Sequence, residues 1–380
     1  MRVKFLASSL HGDAGTIIAQ AREELHRAGF LFAESDDAPE VLVLVTGGTE
    51  LEAKRYLRPG SLLIPWGSSN GLAACLEVKA WADLEGLRVH ILADPLSDPR
   101  ISKTFNALGS IRGLRVGAIG APSDWLIKSG DPELLIDLGA LVEKMEPKDV
   151  LADREDSPDI EAQIRARVGR IEVSQEDLRD AIRFYLALKK IVKQKDLCGI
   201  AIRCFELVKD LKVSACLAVA ILNSEGKVAA CEGDLESLAT LLVAQKLTGQ
   251  TGFMANMTGY KCGVATFAHC TINLALVDRF DLVKHYETGE SVAIRSDLTT
   301  DVATVFRLGK GRRFTLFEGP HVSHSHVEEM CRTQFAMRVD AEYLNMALGN
   351  HQIILPGAWG SELAVLSAFG WRRVDVGGPW

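Results

Sequence analysis

Apolar positions in the first hundred residues alternate between two periods. Val3-Lys-Phe-Leu-Ala7 reads as a strand, and Ile17, Ile18, Ala21, Leu25 and Ala28 recur at helical spacing up to a stop at Gly29. The cycle then repeats. Val41-Leu-Val-Leu-Val45 and Leu62-Leu-Ile64 are short continuous apolar runs of the kind a parallel sheet buries on both faces, and residues 71–84 form a helix leading to a strand at Arg88-Val-His-Ile-Leu92. A second cycle opens at Leu114-Arg-Val-Gly-Ala-Ile-Gly120, with helices predicted near 158–170, 175–194 and 198–209. It closes with a helix over 216–223, a stop at Gly226, a strand at Val228-Ala-Ala-Cys231, the sharp element Glu232-Gly233-Asp234 and a helix over 235–246.

From residue 250 onward the helical period fades. Residues 264–268, 291–294, 302–306, 313–317 and 331–339 are strand-like, His351-Gln-Ile-Ile-Leu355 follows, and a last helix over 361–369 stops at Gly370. The predicted fold class is therefore α/β: two doubly wound parallel-sheet domains, 1–112 and 113–250, followed by a C-terminal β-rich domain, 251–380, of antiparallel barrel-like type.

Composition narrows the function classes. Lys and Arg number 43 against 50 Asp and Glu, and the resulting net charge of −7 disfavours neutralising a nucleic-acid backbone; the one short basic run, Lys310-Gly-Arg312-Arg313, does not reverse that. With 47% apolar residues and no run long enough for a spanning helix, a disordered chain and a membrane partner are not expected, and the apolar stretch at the N-terminus is too short for a signal peptide. The 8 cysteines form no CxxC pair and sit mostly within apolar runs, so they read as buried thiols in a reducing, cytoplasmic setting.

The turns Thr46-Gly47-Gly48-Thr49 and Trp66 to Asn70 fall at carboxyl ends of strands, where open α/β sheets place ligands, but neither matches a phosphate-binding glycine pattern. Metal-capable side chains stand at three other strand ends: Glu232 and Asp234, His269 and His351. Each has a structural alternative. Glu232 and Asp234 precede a helix and could cap it, Asp234 being the better suited, while His269 reads as a core histidine and His351 as a cap of the preceding helix. His321, His324 and His326 fit neither a helical ligand pair nor a structural zinc spacing and read as a solvated loop. Asp124 and Trp125 could cap the next helix or touch a ligand, and Glu318, Glu328 and Glu329 read as surface charge.

Ala229-Ala-Cys231-Glu232-Gly233-Asp234, followed by Gly252-Phe-Met-Ala-Asn256, resembles the L-fucose isomerase and L-arabinose isomerase superfamily. Ala268-His269-Cys270-Thr-Ile272, His285-Tyr-Glu287-Thr-Gly289, Cys331-Arg332-Thr-Gln334 and Asn350-His351-Gln-Ile-Ile-Leu-Pro-Gly357 extend the likeness, in the same order, to its shorter fucose-isomerase-like branch. The resemblance covers residues 114–380; the first 110 match only as a generic α/β domain. It implies a divalent metal, usually Mn²⁺, held by Glu232, His269 and His351, and aldose-ketose isomerisation of a free or modified sugar through an enediol. It also implies a homotrimer or homohexamer in which Trp66, Ser68 and Asn70 complete a neighbouring subunit's sugar pocket. Where the family's second carboxylate stands, this chain has Ala255 and Asn256, and an amide can coordinate but cannot serve as a base. Glu232 is then the acid/base candidate, with Asn256 beside the substrate and Asp234 or Glu287 as possible recruits. Arg332 could bind an acidic group of the sugar or form a structural salt bridge. A sugar-binding descendant without catalysis, and a metal-dependent epimerase or lyase on a polyol, stay open as alternatives.

Overall fold

A computed structural model of the protein describes residues 1–150, 155–323 and 325–375. The chain divides into two compact units, one of Met1–Arg112 with Ala364–Arg372, the other of Gly113–Leu363 with the residues from Arg373 onward.

In the first unit β1 (Arg2–Leu6), α1 (Ala14–Arg27), β2 (Ala33–Glu34), β3 (Val41–Leu44), α2 (Glu50–Tyr56), β4 (Leu62–Pro65), α3 (Gly71–Leu84), β5 (His90–Ile91) and α4 (Pro99–Ile111) follow in turn. The strands pair in parallel in the order β2-β1-β3-β4-β5, so the winding direction reverses between β1 and β3. All four residues of β3 are buried, which is why its sequence is continuous rather than alternating. Leu42, Leu44, Leu63, Cys75 and Val78 join its core. The strand predicted at 88–92 contracts to His90–Ile91, because it is a sheet edge with β4 as its only neighbour. The helix predicted over 361–369 is one α-turn, Gly360–Ala364, tightened into a 3-10 segment, Val365–Phe369, and ended by Gly370 at φ 79°.

The second unit opens with β6 (Arg115–Ile119), α5 (Glu133–Asp137), β7 (Leu141–Met145), α6 (Pro158–Arg167), β8 (Val168–Ile171), α7 (Gln175–Gln194), β9 (Leu197–Ile202), α8 (Cys204–Leu211), α9 (Cys216–Ser224), β10 (Val228–Ala230) and α10 (Leu235–Thr248). Four of these strands make a parallel sheet in the order β10-β9-β6-β7. Two predicted helices are corrected here. Residues 197–202 are a strand, not the start of a helix: the run is too short to show a helical period, and it lies in the middle of the sheet with both neighbours paired. The helix near 158–170 stops at Arg167, and β8 leaves it to pair in parallel with β13 (Phe280–Lys284).

Apart from the β8–β13 pair, the rest of the unit is antiparallel. β11 (Phe253–Lys261), β12 (Val264–His269), β15 (Val302–Gly309), β16 (Arg313–Pro320), β17 (Thr333–Arg338) and β18 (His351–Pro356) are six neighbouring strands of a seven-stranded sheet, in the order β17-β12-β11-β18-β15-β16, while β14 (Val292–Arg295) completes a three-stranded sheet β14-β13-β8. A bridge between His321, just after β16, and Met337 in β17 joins two strands that stand far apart in this order, so the sheet curls. Phe253, Phe267, Val305, Phe335 and Ile354 from this sheet pack with Leu178, Ile182 and Leu217 from α7 and α9 in one core. Each such side chain contributes about 1.5–3 kcal/mol on full burial. That shared core holds β12 and β18, whose ends carry His269 and His351, against α7 and α9. No helix among the described residues is long and apolar enough to cross a membrane.

Candidate metal centre

The site begins with a backbone irregularity. After β10 the chain must turn sharply into α10, and Glu232 and Gly233 both adopt left-handed conformations, φ 61° and 70°. For a glutamate this is strained, at about 1–3 kcal/mol. The turn is held by Gly233 N donating to Ile202 O at 2.9 Å and Ser123 N donating to Glu232 O at 2.9 Å. Position 233 must be glycine, since a Cβ there would lie 2.8 Å from Pro122 Cα. Asp234 then caps α10, its Oδ1 accepting from Ser237 N at 2.7 Å and its Oδ2 from Ser237 Oγ at 2.8 Å. The predicted cap is therefore real, and it is Asp234, which leaves Glu232 without a capping role.

Two strand ends converge on Glu232. His269 closes β12 and His351 opens β18; His351 sits in the sheet, paired opposite Asn256, and caps no helix. Nε2 of His269 lies 3.5 Å and Nε2 of His351 lies 3.4 Å from the same Glu232 oxygen, Oε1. The other oxygen, Oε2, accepts from Trp125 Nε1 at 2.6 Å. Ligand-capable atoms of Glu232, His269 and His351 all lie within 4.8 Å of one another, and all three residues are buried.

Behind this cluster lies a buried ion network absent from the sequence-based expectations. Asp234 Oδ2 is 2.9 Å from His351 Nδ1 and 3.3 Å from Nη2 of Arg307, a guanidinium with 0% exposure. Arg307 also donates to Ser237 Oγ, to Ser129 Oγ at 3.0 Å and to Glu236 at 3.4 Å, and Lys128 pairs with Glu236. Two buried carboxylates, Asp234 and Glu236, thus share the basic groups Arg307 and Lys128, with Glu232 beyond them on the other side of His351. Burial opposes the ionisation of Glu232 and Asp234, but the imidazole contacts hold Glu232, and Arg307 and His351 hold Asp234, well below the usual carboxylate range. Burial likewise opposes the His351 imidazolium, yet Asp234 and Glu232 outweigh it and push its pKa up to about 9. The network favours one more positive charge at the His351 ring.

The donor set fits a divalent cation as the source of that charge. Nε2 of His351 and both ring nitrogens of His269 have no hydrogen-bond partner although they are buried, a costly state for polar atoms. Asp234 bonded to Nδ1 turns the other nitrogen of His351 toward Glu232, the arrangement by which carboxylates orient metal-binding histidines. One carboxylate and two imidazoles would leave several octahedral positions open.

Other predicted residues stand apart. Asn256 Oδ1 accepts from Asn350 Nδ2 at 2.9 Å, and Ala255 is packed into the apolar core. Arg332 donates to Lys284 O at 3.0 Å, pairs with Glu328 at 3.4 Å and lies over Tyr286. Trp66, Ser68 and Asn70 belong to the first unit, where Trp66 is buried and Asn70 precedes α3 at φ 64°. His321 stacks on Phe335, His326 approaches Glu328, and His324 lies outside the described residues. Trp125 is the clearest gain from the fold. Its position in the loop after β6 gave no sign of a partner 107 residues away.

Fold and site together define a class: an α/β chain with a curled antiparallel sheet and a buried Glu/His/His group able to hold a metal. No family model matches the chain. In sequence it is similar to the sulfoquinovose isomerase of Alkalicoccus urumqiensis, a sugar isomerase, with 23% identity over 179 residues. That match covers 44% of this chain and spans 40% of the relative's length.

Proposed function

We propose that the protein is a metal-dependent aldose-ketose isomerase of the L-fucose and L-arabinose isomerase type, acting on a free or modified sugar. The observation that carries this reading is the convergence of Glu232, His269 and His351, with buried ring nitrogens that make no hydrogen bond. The similarity to a sugar isomerase supports it. Mn²⁺ or another divalent ion would be held by Glu232 Oε1 and the Nε2 atoms of the two histidines. Bound there, it supplies Lewis acidity toward adjacent oxygens of an open-chain sugar.

The chain's own residues do the rest. Glu232 is the carboxylate at this position that would take a proton from the carbon beside a polarised carbonyl, while Trp125 donates to its second oxygen. Asp234, clamped by Arg307 and Ser237, holds the ring of His351 in one tautomer. Asn256, opposite His351 in the sheet, would turn its amide to the substrate in place of a second base. Trp66, Ser68 and Asn70 would complete a neighbouring copy's pocket in a homotrimer or homohexamer, and Arg332 would answer an acidic group on the sugar. The amide at 256 favours one second reading, a descendant that binds sugars without isomerising them.

Incubation of the Mn²⁺-loaded protein with aldose and ketose pairs in deuterated water separates these readings. Isomerisation predicts ketose formation with deuterium entering C1 or C2 by NMR, abolished in Glu232→Gln. Sugar binding with no exchange at any carbon would replace the isomerase by the binding descendant.

A further inference from the structure

A second cluster of ligand atoms lies beside the first and uses different chemistry. Cys270 directly follows His269 at the end of β12, Cys331 precedes β17, and Glu287 projects from the turn between β13 and β14. Their sulfur and oxygen atoms all lie within 4.8 Å of one another. Each thiol faces a different oxygen of one carboxylate: Cys331 Sγ is 3.4 Å from Glu287 Oε1, and Cys270 Sγ is 3.9 Å from Oε2. We propose that Cys270, Cys331 and Glu287 form a binding site for a soft divalent cation of the zinc type.

The distances suit this. With zinc–sulfur near 2.3 Å and zinc–oxygen near 2.1 Å, a tetrahedral site has sulfur-to-oxygen edges of roughly 3.6 Å, and the Cys331 Sγ to Glu287 Oε1 edge is 3.4 Å. The anchors are set in advance by backbone bonds that do not involve the ligand atoms. Cys270 O accepts from Ile294 N at 3.0 Å, Cys331 O accepts from Gln334 Nε2 at 3.1 Å, and the turn carrying Glu287 is closed by Gly289 N donating to His285 O at 2.9 Å. His285 Nδ1, 3.5 Å from Glu287 Oε2, also contacts the carboxylate. Both cysteines are buried while the Glu287 side chain is 38% exposed, so the carboxylate marks the route from solvent. Two thiolates and one carboxylate select zinc or cadmium over manganese, the reverse of the carboxylate and imidazole preference at Glu232. Binding is not a redox step: the two thiol protons pass to water and the cation takes two sulfurs and one carboxylate oxygen. An ion held there would pin the end of β12 that carries His269, whatever the chemistry at Glu232.

Cadmium titration of the reduced, chelator-treated full chain tests this, read by the ultraviolet thiolate-to-cadmium absorption and by elemental analysis. A His351→Ala background keeps the neighbouring centre out of the count. The band should reach a plateau at about one ion per chain. It should persist in Cys262→Ser, which removes an exposed thiol elsewhere, weaken about tenfold in affinity in Glu287→Gln, and vanish in Cys331→Ser. A full band in Cys331→Ser, or none in the parent, overturns the proposal. Should Cys331→Ser not fold, X-ray absorption of the zinc-loaded wild-type chain decides: two sulfur ligands support the site and none refutes it.

Discussion

Both parallel sheets end in loops at the carboxyl edges of their strands, yet among the described residues only the second buries charge there. In the first sheet the loops after β3 and β4 bury Thr46, Thr49 and Trp66, which carry no charge. In the second, the loop after β10 buries Glu232 and Asp234 and draws Arg307 and His351 onto them. Each region has a residue in the left-handed conformation, but Asn70 is exposed and of a type that tolerates it, whereas Glu232 is buried and is not. Doubly wound architecture alone therefore does not mark a site. Buried charge held by strain does.

The contrast can be broken by mutation. Arg307→Met should have the largest effect, a loss of about 3–5 kcal/mol in urea unfolding, because it strands Asp234 and Glu236 without their shared guanidinium. Gly233→Ala should cost about 1–3 kcal/mol, since the added methyl meets Pro122 in a backbone region that disfavours a side chain, and it should lower metal content with it. Trp125→Phe keeps the edge contact with Phe205 but removes the hydrogen bond to Glu232, so Mn²⁺ affinity should fall about tenfold while the melting temperature barely moves. Asn70→Gly should change stability by under about 0.5 kcal/mol. Were Arg307→Met as mild as Asn70→Gly, the contrast would collapse.

Much of this was legible along the chain. The runs at 41–45 and 62–64, the helix at 71–84 and the strand-turn-helix around Glu232 declare themselves because periodicity and capping are local signals. His269 and His351 could be singled out as strand-end residues, and the family likeness placed them beside Glu232. Arg307 could not be found this way. It is one charge between Phe306 and Leu308 in an apolar strand, and its partner is 73 residues away. The strand at 197–202 was misread for a related reason: a short apolar run does not declare its period, and only pairing with β6 and β10 decides it. Cys270, Cys331 and Glu287 likewise read as separate residues until β12, β17 and the turn after β13 bring them together.

The central claim is that Glu232, His269 and His351 hold one divalent cation. Calorimetric titration of metal-stripped protein with Mn²⁺ between pH 6 and 9 tests it most directly, on the wild type, Glu232→Gln and His351→Ala. The cation needs the neutral imidazole of His351, whose pKa is pushed up to about 9, so affinity should rise with pH by up to about tenfold per unit below that point. Without metal the sign reverses: the protonated ring stabilises the fold fully below its ordinary value of 6.5, and that stabilisation is lost as the pH climbs through about 9. The account predicts one Mn²⁺ site in the wild type, tightening with pH and lost in both variants. A wild type that binds no Mn²⁺, or variants that bind it as tightly as the wild type does, would contradict it.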